Sequence, residues 1–142
     1  MLKESDLLLL KHIRENSRQS LAKINKKTNI PISTLFDKLN KLEKEIVSRH
    51  VSLIDFSKAG YSLLVNFSLK TSDKEKTKEF LLKSQNVNSL YRVSPNFDFY
   101  VECIFKDLKD LDSFKERFSG YCIDEFEENF IVDELRREEF FV

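Results

Sequence analysis

The chain has 142 residues, with 41% hydrophobic and 34% charged side chains, enough apolar matter for one ordinary domain or two small ones. Only two glycines occur, which argues against glycine-rich phosphate loops and against disorder. The zero net charge hides an asymmetry: residues 1–60 carry 12 Lys/Arg against 7 Asp/Glu, and residues 61–142 carry 12 against 17. A basic front half and an acidic back half leave a nucleic-acid partner open, where a uniformly neutral chain would not. No apolar run approaches the roughly 18 residues of a membrane span. The N-terminus lacks the small-residue cleavage pattern of a signal peptide. Cys103 and Cys122 stand far apart, with no CxxC or Cys/His cluster. A cytoplasmic protein with reduced thiols, no metal and no cofactor is the expectation.

The first predicted helix runs from about Ser5, its expected cap, to Asn16. Leu7, Leu8, Leu10 and Ile13 form its apolar face, and Leu9 makes the run greasy nearly all round. A second helix opens at Ser20, whose hydroxyl can accept from a free N–H of the first turn. Leu21, Ile24 and Thr28 share one of its faces. Asn29 suits a left-handed end, and Pro31 prevents continuation. Ser33 or Thr34 is expected to cap a third helix in which Leu35, Leu39, Leu42 and Ile46 fall in one arc. Its other face carries Ser33, Thr34, Asp37, Lys38, Lys41 and Lys44. One apolar side and one basic, hydroxyl-bearing side suit a helix that rests on a small core and faces a phosphate-lined groove.

Ile46 to Asp55 alternates enough to predict a strand or two-stranded wing with Arg49 and His50 at its centre. Residues 56–60, ending at Gly60, read as a linker. Strands are then expected over Tyr61–Lys70, Ser89–Ser94, Phe97–Lys106 and Glu125–Glu134. Helices are expected over Asp73–Ser84 and Leu108–Phe118. The order βαββαβ is that of a ferredoxin-like sheet with both helices on one face. Tyr100 and Ile104 make the other face partly apolar, which a second copy of the sheet would cover. The fold class is α+β: an N-terminal winged helix-turn-helix (1–55), a linker (56–60) and a C-terminal ferredoxin-like domain (61–142).

This order of parts resembles the Lrp/AsnC (feast/famine) family of prokaryotic transcription regulators. The resemblance is carried by Ile30-Pro31-Ile32-Ser33-Thr34 leading into Lys38-Leu39-Asn40-Lys41-Leu42-Glu43, by Leu53-Ile54-Asp55 before Gly60-Tyr61, by Val93-Ser94 before Phe97-Asp98-Phe99, and by Asp133-Glu134-Leu135. It implies sequence-specific binding of double-stranded DNA by a homodimer, or by a tetramer or octamer, and in many members a small-molecule effector held by the second domain. Two positions depart from the pattern: Glu45 runs straight into Ile46 where a glycine is usual, and Pro95 replaces a glycine in the loop beside the effector pocket. Proline removes an N–H donor there and fixes φ.

The residues expected to face DNA are Arg18, Ser20, Lys26, Lys27, Ser33, Thr34, Asp37, Lys38, Lys41, Lys44 and Arg49. Lys41 is expected on phosphate, and Ser33, Thr34 and Asp37 at base edges. Tyr91, Arg92, Asn96 and Asp98 are the candidate effector residues. No nucleophile, metal ligand or phosphate loop accompanies Asp98 and Glu102, so no catalytic residue is assigned. A second reading keeps the fold as a ligand-binding or protein-interaction module without DNA. A third, an enzyme resembling the haem-biosynthesis decarboxylases, would have to work with His12 and His50 as its only histidines.

Overall fold

The computed structural model describes residues 1–140, so the last two residues of the expected 61–142 domain, Phe141 and Val142, lie outside the described residues. The chain divides into two compact units: Met1–Leu53 joined by the segment from Leu135 onward, and Ile54–Glu134.

The first unit holds α1 (Glu4–Glu15), α2 (Leu21–Thr28) and α3 (Ile32–Glu45). Leu9, Ile13, Ile24, Leu35 and Leu42 form its buried core, with Leu21, Leu39 and Val47 packed at the margin. Of the Leu7–Leu10 run only Leu9 is fully buried, and Leu8 is exposed. The inner stripe of α1 is therefore Asp6, Leu9 and Ile13, at helical spacing. Ser5 does not cap α1. The helix starts one residue earlier, and the Asp6 carboxylate instead accepts the backbone N–H of Lys3 at 3.0 Å. Ser20 does cap α2, its Oγ accepting from the Lys23 N–H at 3.2 Å.

Asn29 adopts φ 58° at the end of α2. The Asn25 side-chain amide donates to the Ile30 carbonyl at 2.7 Å and so locks the turn into α3. Neither Ser33 nor Thr34 caps α3, because Pro31 occupies the cap position and both hydroxyls lie inside the first turn. The predicted strand or wing over 46–55 is absent: these residues form no strand. A two-stranded wing needs a tight turn, and this stretch has no glycine, asparagine or proline to make one.

The second unit contains β1 (Leu63–Thr71), α4 (Lys74–Lys83), β2 (Val87–Arg92), β3 (Phe99–Phe105), α5 (Leu108–Glu116), a 3₁₀ turn (Ser119–Tyr121) and β4 (Ile123–Phe130). The βαββαβ order holds, and the sheet runs β2-β3-β1-β4 with antiparallel neighbours. Alternation along β1 and β3 buries Val65, Phe67, Leu69, Phe99, Val101, Cys103 and Phe105 against Phe80, Leu81, Leu111, Phe114 and Phe118. Phe67 lies 5.7 Å from Phe114 and 5.5 Å from Phe118, ring centre to ring centre. Full burial of one such ring stabilises by roughly 1.5–3 kcal/mol.

Strand β4 begins and ends earlier than the expected Glu125–Glu134. Its ladder with β1 runs from Ile123 opposite Thr71 to Phe130 opposite Val65, so the length of β1 limits it. The face away from the helices carries Leu64, Asn66 and Ser68 of β1 beside Tyr100, Glu102 and Ile104 of β3, which is more polar than a core face. Asn66 donates to the Tyr100 hydroxyl across it at 2.8 Å.

Candidate nucleic-acid interface

Helix α3 buries Leu35 and Leu42 and turns the opposite arc outward. On that arc Ser33, Thr34, Asp37, Lys41 and Lys44 are exposed. Their hydroxyls, carboxylate and ammonium groups project from one helix, with Ser33 and Asp37 one turn apart in its N-terminal half. Lys26 and Lys27 extend the basic surface from the last turn of α2. Lys27 Nζ also reaches Gln19 Oε1 at 3.4 Å. Arg18 is exposed in the loop before α2, its backbone N–H donating to Asn16 Oδ1 at 3.0 Å. Ser20 has committed an acceptor lone pair to its cap. Arg49 is exposed on the segment after α3 that forms no strand.

Lys38 is placed differently from its neighbours. Its ammonium sits 2.7 Å from Asp6 Oδ1, and its side chain is only 19% exposed. It lies on the flank of α3 that packs toward α1, off the outward arc. His50 likewise points at protein, its Nε2 standing 3.0 Å from Glu43 Oε1.

Sequence reasoning missed Phe36 and Ile32, which are 55% and 49% exposed on the first two turns of α3. The signal was present: Phe36 stands about 100° around the helix from Leu35 and falls outside the arc of Leu35, Leu39 and Leu42. It also missed Asn25, whose amide shapes the turn.

The four candidate effector residues do not converge. Tyr91 pairs with Tyr100 and Arg92 with Phe99, so they point to opposite faces of the sheet. Tyr91 packs on the Tyr100 ring, with centroids 6.3 Å apart, and Asn96 is exposed in the loop after β2. Asp98 acts as a clamp. Its Oδ2 accepts the Thr71 N–H at 2.9 Å and its Oδ1 lies 3.5 Å from Lys74 Nζ. Its main chain joins Leu69 and Val93 at 2.8 and 3.0 Å.

A helix-turn-helix with a polar, basic outer face, in one chain with a ferredoxin-like sheet, defines a class of DNA-binding regulators. No family model matches the chain. An uncharacterised HTH-type transcriptional regulator of Pyrococcus horikoshii, PH0140, is 32% identical over 117 residues, covering 80% of this chain and 73% of that protein. An AsnC family transcriptional regulator from Agrobacterium tumefaciens superposes with a TM-score of 0.87 at 21% identity, over 99% of this chain and 97% of the other. The transcriptional regulator NMB0573 of Neisseria meningitidis, solved with L-Met, gives 0.87 at 18% identity, over 96% and 94%. The chain has the fold of the Lrp/AsnC regulators and belongs to the family of HTH-type transcriptional regulators. Its members are regulators of transcription and not enzymes. No helix among the described residues is long and apolar enough to cross a membrane.

Proposed function

We propose that this regulator acts in the cytoplasm as a homodimer or larger even assembly, placing α3 of each copy in the major groove of double-stranded DNA. The observation that carries the reading is the two-sidedness of α3, with Leu35 and Leu42 inside and Ser33, Asp37, Lys41 and Lys44 outside. Residues near the N-terminus of such a helix reach base edges, and cations farther along neutralise phosphates. Lys41 and Lys44 take the phosphate role, with Lys26, Lys27, Arg18, Ser20 and Arg49 flanking the groove. Thr34 and Lys38 stand at the margin of the surface, Lys38 through its bond to Asp6. Two recognition helices related by a two-fold axis would read half-sites about one helical turn apart, so the operator is expected to be roughly palindromic.

The test is fluorescence anisotropy of a labelled duplex from the protein's own upstream region at two salt concentrations. Saturable binding, tighter than to random duplex and weakening steeply with salt, supports the proposal. A flat titration at low salt removes it. Sedimentation showing a stable monomer at micromolar concentration removes the dimer.

The Neisseria regulator is a complex with L-Met. For this chain, the opposed directions of Tyr91 and Arg92 and the engagement of Asp98 by Thr71 and Lys74 weigh against a pocket built from those residues within one copy. Calorimetric titration with L-methionine is expected to give no heat of binding. A stoichiometric signal lost in Asp98→Asn would restore the effector reading.

A further inference from the structure

We infer that Ile32 and Phe36 make this regulator a reader of thymine, by contact with the 5-methyl groups in the major groove. The inference rests on the proposal that α3 is the groove-facing helix, and it names what that helix recognises.

Ile32 and Phe36 are four residues apart, hence stacked on one side of α3, and they are 49% and 55% exposed. Neither belongs to the buried core of the helical unit. Both lie in the first two turns of the helix, the part that reaches base edges in a helix-turn-helix. A single exposed apolar residue calls for no explanation, but this is an adjoining pair on the helix that carries the polar contacts.

The chemistry around the pair narrows its partner. The commonest specific contact to DNA is a Lys or Arg on guanine O6 and N7. Among residues 32–38 the only cation is Lys38, and it is held by Asp6 at 2.7 Å on the side facing α1. Lys41 and Lys44 come one and two turns later, where they suit phosphates. The base-reading end of α3 is thus left with two apolar side chains, the hydroxyls of Ser33 and Thr34, and the carboxylate of Asp37. Thymine's methyl is the apolar feature that a base edge offers in the major groove, and apolar side chains recognise it. The Asp37 carboxylate can accept only from an amino group, adenine N6–H₂ opposite a thymine or cytosine N4–H₂ at a neighbouring pair, and it is repelled by the acceptor edge of guanine. The exposed lysines elsewhere on the same two helices, Lys41 and Lys44 on α3 with Lys26 and Lys27 on α2, favour a polyanion as occupant over the apolar face of a second protein.

The experiment selects duplexes from a randomised pool with the full-length wild-type protein, then remakes the recovered sequence with uracil in place of each thymine. Uracil lacks only the methyl group. Wild-type binding is expected to weaken about 4-fold for each methyl that is contacted, the value of one buried methylene-sized group. Phe36→Ala is expected to keep the wild-type melting temperature, bind the thymine duplex more weakly, and lose most of the difference between thymine and uracil. Phe36→Leu is expected to retain part of it. If wild type binds thymine and uracil duplexes equally, or if Phe36→Ala discriminates as wild type does, the inference is overturned while DNA binding stands. If the pool yields no enriched sequence and binding shows no salt dependence, the underlying DNA reading fails with it. A lower assembly mass for Phe36→Ala in sedimentation would assign the pair to a protein contact and overturn the inference as well.

Discussion

Lys38 Nζ lies 2.7 Å from Asp6 Oδ1, so the middle of α3 is tied to the first turn of α1 across 32 residues of chain. The same carboxylate accepts the Lys3 backbone N–H at 3.0 Å. The Lys38 hydrogen bond first, and the Lys3 hydrogen bond second, hold the Asp6 carboxyl below its ordinary range. One side chain therefore caps α1 and positions α3.

Lys38→Met is expected to destabilise the helical unit by about 1–3 kcal/mol, since it leaves the largely buried Asp6 carboxylate without its charged partner. The sign of the pH dependence follows from the lowered value. The bond stabilises the fold above the ordinary carboxylate range, and this contribution is lost as pH falls through the folded value. Urea melts should show the stability gap between wild type and Asp6→Asn narrowing on acidification. A gap that widens toward low pH would contradict the assignment.

Lys41→Ala and Lys44→Ala are each expected to lower the slope of log affinity against log salt by about 0.9, and to weaken binding to all sequences alike. Lys38→Met should leave that slope nearly unchanged, since its ammonium faces Asp6. Anisotropy titrations across a salt series measure all three.

Ser20→Ala removes a cap and is expected to cost about 1 kcal/mol, whereas Ser33→Ala is expected to fall within about 0.5 kcal/mol of wild type in stability, because its hydroxyl caps nothing. Ser33→Ala should be seen in DNA affinity instead. Equal destabilisation by the two substitutions would show that Ser33 has a structural partner.

In the second unit Thr71 is a buried polar junction. Its Oγ1 lies 2.8 Å from Thr77 Oγ1 and 2.9 Å from the Cys122 carbonyl oxygen, and it accepts the Asp73 N–H at 3.2 Å. Thr71→Val is expected to destabilise by about 1–3 kcal/mol, since it leaves that N–H unpaired and removes the single hydroxyl hydrogen that Thr71 can donate to its neighbours. Denaturant unfolding followed by tyrosine fluorescence measures it.

The two cysteines are expected to react very differently. Burial first, and the nearby Glu102 charge second, push the Cys103 thiol up to about 12, and it is 1% exposed. Cys122 is exposed at the end of the 3₁₀ turn. A thiol reagent at neutral pH should label one cysteine per chain in the native protein and the second only in denaturant. Two rapid equivalents in the native state would contradict this.

Much of the architecture was legible in the residues. The period of two along Leu63, Val65, Phe67 and Leu69 determined which side of β1 faces the helices, because alternate side chains of a strand must point to opposite faces. Ser20, Asn29 and Pro31 determined the start and stop of α2 through cap, left-handed turn and ring closure, all of which act within a few residues. The outer arc of α3 followed from the positions of Leu35 and Leu42 alone.

What remained closed depended on partners distant in sequence. Four successive leucines in α1 carry no local mark of which is inside; packing against Ile24 and Leu35 selected Leu9. Lys38 stands three residues after Leu35 and four before Leu42, so periodicity alone sets it beside the inner stripe; that Asp6 of another helix meets it there is what only the fold decided. Asp98 read as a pocket carboxylate until the fold brought the Thr71 N–H, 27 residues away, to its oxygen. The expected strand at 46–55 failed because a strand is stabilised by hydrogen bonds to a neighbour that local alternation cannot supply. The sequence by itself determined the elements, their order and their inner faces, since those rest on short-range periodicity and capping. Tertiary structure alone decided which charged groups were consumed in holding the fold, because a charge meets its partner only after the chain has closed.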